Sequence, residues 1–165
     1  VGSEMCIRDR PYGEDISLSG INLREFSEQV VDQQLAVGRV GIMADFPQVD
    51  TNGLTVAMAE AMNVRPFLRW YSAESMINWR ISYINGAQVL TMVVLRETAN
   101  QPKNEFEVTE VTLYRVLDLT DEGYRQRVMD ADGNVMTEVF PLKQGQRMNF
   151  IPFVILGANL SLIHI

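Results

Sequence analysis

Apolar residues recur along this chain at two different spacings, and the change from one to the other falls near Pro66. Before it, Leu23, Phe26, Val30, Val31 and Leu35 follow near-helical spacing and predict a helix with one apolar side. Asn22 opens that helix. Its side chain can accept the orphan amide of Glu25, and the Glu25 carboxylate can reach back to the Asn22 amide, a capping-box pattern. Gly38 predicts the stop, because glycine enters the left-handed conformation at no steric cost. Residues 39–46 are short and mostly apolar, as expected of a buried strand that ends at Pro47. Asp50-Thr51-Asn52-Gly53 reads as a loop. Residues 54–63, rich in Ala and Met, suggest a short helix, against which Thr55 and Val56 weigh. Residues 11–20 are polar and read as a loop.

After Pro66 the spacing becomes that of strands. Residues 67–71 are a candidate strand, and Ser72-Ala73-Glu74-Ser75 is expected to cap a single helical turn leading to Ile77-Asn78-Trp79. Residues 80–84 and 87–96 flank Asn85-Gly86, which tolerates positive φ at both turn positions and predicts a tight type I′ hairpin. Val89, Leu90, Met92, Val93, Val94 and Leu95 are too apolar for a strand with one face in water, so this strand is expected inside its sheet. Residues 99–104 read as a polar loop and 108–119 as the next strand. Asp121-Glu122-Gly123 turns it into 124–129, and Asp130-Ala131-Asp132-Gly133 turns again into 135–140. Residues 143–149 read as a polar loop before a last apolar run, 151–156. A helix-then-strand entry followed by an antiparallel β-meander of five or so strands is an α+β fold, because helices and strands occupy separate stretches.

The two ends carry a different signal. Met5-Cys6-Ile7-Arg8-Asp9 can be written in codons as ATG TGT ATA AGA GAC, and Leu160-Ser161-Leu162-Ile163-His164-Ile165 as CTG TCT CTT ATA CAC ATC. Those strings are reverse complements over nearly their whole length, as expected of one sequencing adapter read from both edges of a DNA insert. Residues 1–10 and 160–165 are therefore expected to be translated adapter, and 11–159 an internal gene fragment. The sole cysteine, Cys6, and the sole histidine, His164, both lie in these ends. No apolar h-region is present near the start, so no signal peptide is expected there.

Charge narrows the function classes. The formal net charge is −7, and the first ten residues hold two acidic and two basic side chains, so it is unchanged without them. An acidic chain lacks the electrostatic footprint of a free-standing nucleic-acid binder, though not that of a protein past which DNA slides. No apolar run approaches the roughly 20 residues of a membrane helix, so no membrane contact is expected. Without Cys or His between the ends, neither a disulfide framework nor the commonest acid–base and thiol nucleophiles are available.

Candidate chemistry is sparse. Asp130-Ala131-Asp132-Gly133-Asn134 starts like a calcium loop, but the twelfth position, where a bidentate Glu is needed, is Pro141. It reads as a hairpin turn. Asp45, Glu74 and Glu97 are the carboxylates that a catalytic reading would use, with Asp45 otherwise a turn former before proline. Gly38 and Gly41 lack the rest of a phosphate-binding signature. Trp70, Tyr71, Trp79, Tyr83, Tyr114 and Tyr124 fit core and cross-strand packing better than base stacking. Arg69, Arg80, Arg96, Arg115, Arg125 and Arg127 share strands with them and fit a solvated sheet face or a subunit contact. No catalytic, cofactor-binding or metal residue is expected.

Five blocks carry a family resemblance. Val37-Gly38-Arg39-Val40-Gly41-Ile42-Met43-Ala44-Asp45-Phe46-Pro47 resembles a helix-to-strand segment of tailed-phage portal-like proteins. More narrowly it is similar to a family known as a domain of unknown function in phages and prophages, whose most recognisable block resembles residues 71–80, Tyr-Ser-Ala-Glu-Ser-Met-Ile-Asn-Trp-Arg. Val93-Val94-Leu95-Arg96-Glu97, Tyr114-Arg115-Val116-Leu117 and Ile151-Pro152-Phe153-Val154 follow in the expected order, over residues 22–157. The resemblance implies a virion structural protein rather than an enzyme, here part of a β-rich wing domain of a portal or head–tail connector. Such a subunit would assemble with itself into a ring in the bacterial host cytoplasm and end in the virion. Double-stranded DNA would pass through the ring during packaging and ejection. The packaging motor, capsid and head-completion proteins would bind through parts of the gene absent here. No cofactor is implied, and no DNA-contact or motor-contact residue carries over.

Two further function classes stay open. A small carboxylate-dependent hydrolase or transferase would need convergent acidic residues in a pocket. A β-rich binding module would need a self-sufficient closed fold with one exposed aromatic patch. The connector reading expects exposed apolar surfaces where neighbouring subunits pack.

Overall fold

The computed structural model describes residues 13–46, 65–102, 107–143 and 145–157, and they form two compact units. The first takes its residues from both flanks of the chain, up to Ala73 and again from Pro152, while the second is the continuous stretch Glu74–Ile151.

In the first unit, helix α1 spans Leu23–Val37 and both of its ends are as the sequence predicts. Asn22 accepts from the Glu25 amide at 3.0 Å and the Glu25 carboxylate answers to the Asn22 amide at 3.4 Å. Gly38 closes the helix at φ 79° with its amide donating to the Gln34 carbonyl. Strand β1, Arg39–Asp45, follows at once. It runs between β2, Phe67–Ser72, and the last strand, Phe153–Gly157, antiparallel to both. The register pairs Val40 with Ser72 and Leu156, and Ile42 with Trp70 and Val154. Val40 and Ile42 share one face of the pleat, on which Phe26 and Val30 of α1, Ile16, Leu68, Trp70 and Leu156 form a common core. On the opposite face Met43, Tyr71 and Phe153 are also buried, the two rings lying 6.1 Å apart. A strand buried on both faces has no polar side to show, which is why residues 39–46 are nearly continuous in apolar character. Trp70 Nε1 donates to Gln29 Oε1 at 3.0 Å and ties β2 to α1.

The second unit is a meander. Strands β3 (Met76–Ile84), β4 (Ala87–Pro102), β5 (Val108–Thr120), β6 (Gly123–Met129) and β7 (Val135–Val139) pair antiparallel in chain order. A two-residue ladder follows, β8 (Leu142–Lys143) with β9 (Gln146–Arg147), and the strand Phe153–Gly157 of the first unit is then β10. Asn85 at φ 51° and Gly86 at φ 80° make the predicted primed hairpin between β3 and β4. Paired residues in a pleated sheet share a face. Trp79, Val93, Leu117, Gln126 and Val139 therefore line up across one side, where Val93, Leu95, Leu117 and Tyr124 are almost wholly buried. The fold is α+β, a helix followed by a β-meander, and β4 lies inside its sheet as its composition requires.

Four local expectations are corrected. The helix does not turn its apolar residues to one side: Phe26 and Val30 are buried, whereas Leu23, Val31 and Leu35 are exposed, Leu35 by 80%. Ala73, Glu74 and Ser75 form a turn with no helical residues, and Ile77-Asn78-Trp79 lie in β3. Residues 99–102 are strand, because β4 keeps pairing with β5 as far as Pro102 opposite Val108, and proline is tolerated at a strand end. Residues 143–149 hold half of a short hairpin in place of a plain loop. The expected loop at 50–53 and helix at 54–63 lie outside the described residues.

Two glycines give a graded stability test. A Cβ on Gly38 would meet open space, so Gly38→Ala should cost only the left-handed backbone penalty, about 1 kcal/mol. A Cβ on Gly123, at φ 112°, would lie 2.8 Å from the Met148 carbonyl oxygen, so Gly123→Ala should cost distinctly more. Urea unfolding of both variants checks the order. Equal losses would mean that the contact with Met148 does not hold.

Candidate functional site

The side of the meander opposite Leu117 carries most of its charge. Counting in pairs from the strand registers, Arg80, Met92, Asp118 and Arg125 form one cross-sheet row. Asn78, Val94, Val116, Arg127 and Glu138 form the next. Arg96 and Tyr114 begin a third. Four of the six arginines singled out from the sequence thus share a face. Arg115 points the other way, and Arg69 belongs to the first unit, where its guanidinium lies 5.5 Å over the Phe67 ring.

Asp118 is the node of this face. Arg125 reaches it with two nitrogens, Nε to Oδ1 at 3.2 Å and Nη2 to Oδ2 at 2.5 Å, and Arg127 Nη2 reaches Oδ2 at 3.3 Å. Arg125 also lies 3.6 Å from Glu138. The hydrogen bond from Arg125 to Asp118 raises the guanidinium pKa above its ordinary value. A raised pKa on a cation gives stability that is full below the unfolded pKa and lost only as pH rises through the folded one, so raising the pH through the ordinary alkaline range does not discharge Arg125. One carboxylate serves two guanidiniums, and Arg127 Nε is buried with no hydrogen-bond partner among the described residues. Arg80 and Arg96 are exposed, the latter with Nη2 3.5 Å from the Glu74 carbonyl oxygen. Between them Met92 and Val94 are half-buried and Val116 is buried. The face is an apolar centre with an arginine rim.

The carboxylates of the catalytic reading are differently engaged. Glu97 receives a two-point ion pair from Arg115, Nε to Oε1 at 2.7 Å and Nη2 to Oε2 at 3.0 Å. Each side chain is about one-sixth exposed (16% and 17%), a geometry that fixes both in place. Asp45 is buried at the end of β1 and accepts the Phe46 amide at 2.9 Å. Glu74 is exposed in the turn before β3. Among the described residues no three His, Cys, Asp or Glu side chains are grouped as a metal site, and no helix is long and apolar enough to cross a membrane. The aromatics disperse. Tyr114 is on the arginine face, Tyr124 is buried on the other, and Trp70 and Tyr71 belong to the first unit.

Two residues were not singled out from the sequence. Asp118 was legible in principle: a two-residue turn at Asp121-Glu122 pairs Thr120 with Gly123 and so sets Asp118 opposite Arg125. Gln126 was not, since a glutamine in an alternating strand normally faces water. Here it is 2% exposed, and neither side-chain atom has a partner among the described residues. No protein-family model matches the chain, and no curated protein is significantly similar to it.

The turn at Asp130 is closed by its own carboxylate. Oδ1 accepts from the Asn134 and Asp132 amides at 2.8 and 3.0 Å, and Oδ2 accepts from Asn134 Nδ2 at 2.8 Å. Those bonds, led by the Asn134 side chain, hold the carboxyl below its ordinary pKa. The stability they give is present above the unfolded aspartate pKa of about 3.9 and is lost as pH falls through the lower folded value. A carboxyl-detected NMR titration should place Asp130 below ordinary aspartates, and Asn134→Ala should move it back up. An unchanged titration would refute the turn chemistry. For Gln126, replacement by methionine removes two unsatisfied polar atoms at similar volume and should raise stability by about 1 kcal/mol in urea unfolding. A loss instead would reveal a partner that Gln126 needs.

Proposed function

We propose that this chain is part of a structural subunit of a phage portal or head–tail connector, whose assembled ring passes DNA during packaging and ejection. The observation that carries the reading is where the five resembling blocks fall. Arg39–Asp45 pairs with Phe153–Gly157, so the first block meets the last. Val93 and Leu95 pair with Leu117 and Arg115, so the third meets the fourth. The second block supplies β3, which pairs with β4. The blocks lie in paired strands of the two sheets, β1, β4 and β5 within them and β3 and β10 at their edges, as expected of a scaffold. Exposed Leu23, Val31 and Leu35 on α1 support it as surface for a neighbouring subunit.

A β-rich binding module is the second reading, favoured by the first unit's own core, in which Phe26 and Val30 of α1 pack with Val40 of β1. The enzyme reading draws least support, because Glu97 is held in its pair with Arg115.

Electron microscopy of the complete gene product, expressed without residues 1–10 and 160–165, is expected to show rings with a central channel. A monomer that persists across salt conditions would overturn the connector reading in favour of the binding module.

A further inference from the structure

The chain carries two exposed faces of opposite character. Along α1, Leu23, Val31 and Leu35 are exposed by 47%, 50% and 80%. At helical spacing they form a stripe along one side of the cylinder. Glu28 and Asp32 border it, Glu28 in an exposed i,i+4 ion pair with Arg24 at 2.9 Å that contributes little and can be exchanged, and a shallow groove of about 410 Å³ is lined by Ser27, Glu28, Val31 and Asp32. The last turn of the helix holds no basic residue, so its carbonyl end adds negative potential to that of the two carboxylates. This is an apolar stripe with an acidic border. The outer face of the meander is the reverse: half-buried Met92 and Val94 beside a buried Val116, bordered by Arg80, Arg96 and Arg127. There four arginines, Arg80, Arg96, Arg125 and Arg127, outnumber the carboxylates paired with them, Asp118 with Arg125 and Arg127 and Glu138 with Arg125.

We propose that these two faces bind one another between copies of this chain: the acidic, apolar side of α1 in one copy seats on the arginine-rimmed face of the meander in the next. The occupant is a second copy because the chain itself supplies both halves of the match, apolar to apolar and carboxylate to guanidinium. In such a contact Glu28 and Asp32 would face Arg80 and Arg96, the two exposed arginines of the rim. Arginine–carboxylate pairs around an apolar centre are the usual anatomy of a specific interface. The contact joins two different surfaces, so it is heterologous and propagates, closing into a ring or running on as an open chain. The proposal rests on the connector reading and names the surfaces that its ring would use.

Charge exchange tests it. Two variants of the full chain are needed, Arg80→Glu with Arg96→Glu, and Glu28→Arg with Asp32→Arg. All four residues are exposed, and circular dichroism checks that each variant is folded. The wild-type chain should self-associate in sedimentation velocity, more tightly at low than at high ionic strength. Each variant alone opposes like charges at the contact and should associate at least about tenfold more weakly. An equimolar mixture of the two should recover association, because each contact between unlike variants again joins opposite charges. Wild-type association that neither variant weakens would overturn this proposal and leave the connector reading standing. So would variants that weaken association without rescue on mixing. A wild-type chain that stays monomeric at every ionic strength would overturn the contact itself, while microscopy of the complete gene product judges the connector reading separately.

Discussion

The pairing of β1 with β10 is the constraint on which the rest of the structure depends. β1 directly follows the helix, yet one of its two partners is reached only after the whole meander has been made. Bringing those strands together carries a loop-closure cost that grows only slowly with length, so a long excursion is tolerated once the strands have enough to gain. What they gain is burial on both faces. Val40 and Met43 are wholly inaccessible, one facing the helix core and the other the Tyr71–Phe153 side. Burying side chains of this size contributes roughly 1.5–3 kcal/mol each. The meander leaves the first unit after β2 and returns at β10, so both of its exits flank β1 in the same sheet.

Within the meander the decisive physics is parity. Successive side chains of a strand alternate between faces, and tight turns fix which residues stand opposite one another. Four arginines scattered over three strands therefore end on one surface while a fifth, Arg115, lands on the other and pairs with Glu97. The division between an apolar interior and an arginine-rimmed exterior follows from odd and even positions.

This explains what could be read from the chain and what could not. Elements with a local cause were legible. Asn22 and Glu25 announce a helix start, Gly38 its end, and Asn85-Gly86 a primed hairpin, because each satisfies its own backbone. The α+β class followed from the same signals. The misreadings arose where a distant partner decides. Residues 99–102 are polar and look like a loop, but the facing run of β5 holds them in the ladder. Leu23, Val31 and Leu35 fit a helical repeat, yet of the helix's apolar side chains Phe26 and Val30 are the ones buried in the core, and spacing alone does not say how wide the contact is. Gln126 in a buried row and Asp118 between two guanidiniums are also products of pairing, and no single segment announces them.

The turn at Asp121-Glu122 looks like an ordinary exposed connection, the kind of place where chains usually accept extra residues. Its length nonetheless sets the phase of β6 against β5. One added residue that slid β6 by a single position would turn Arg125 and Arg127 toward Leu117 and bring Tyr124 and Gln126 out to water. This surface turn should therefore be free to change its side chains but not its length, a restriction that insertions and deletions would meet and point substitutions would not.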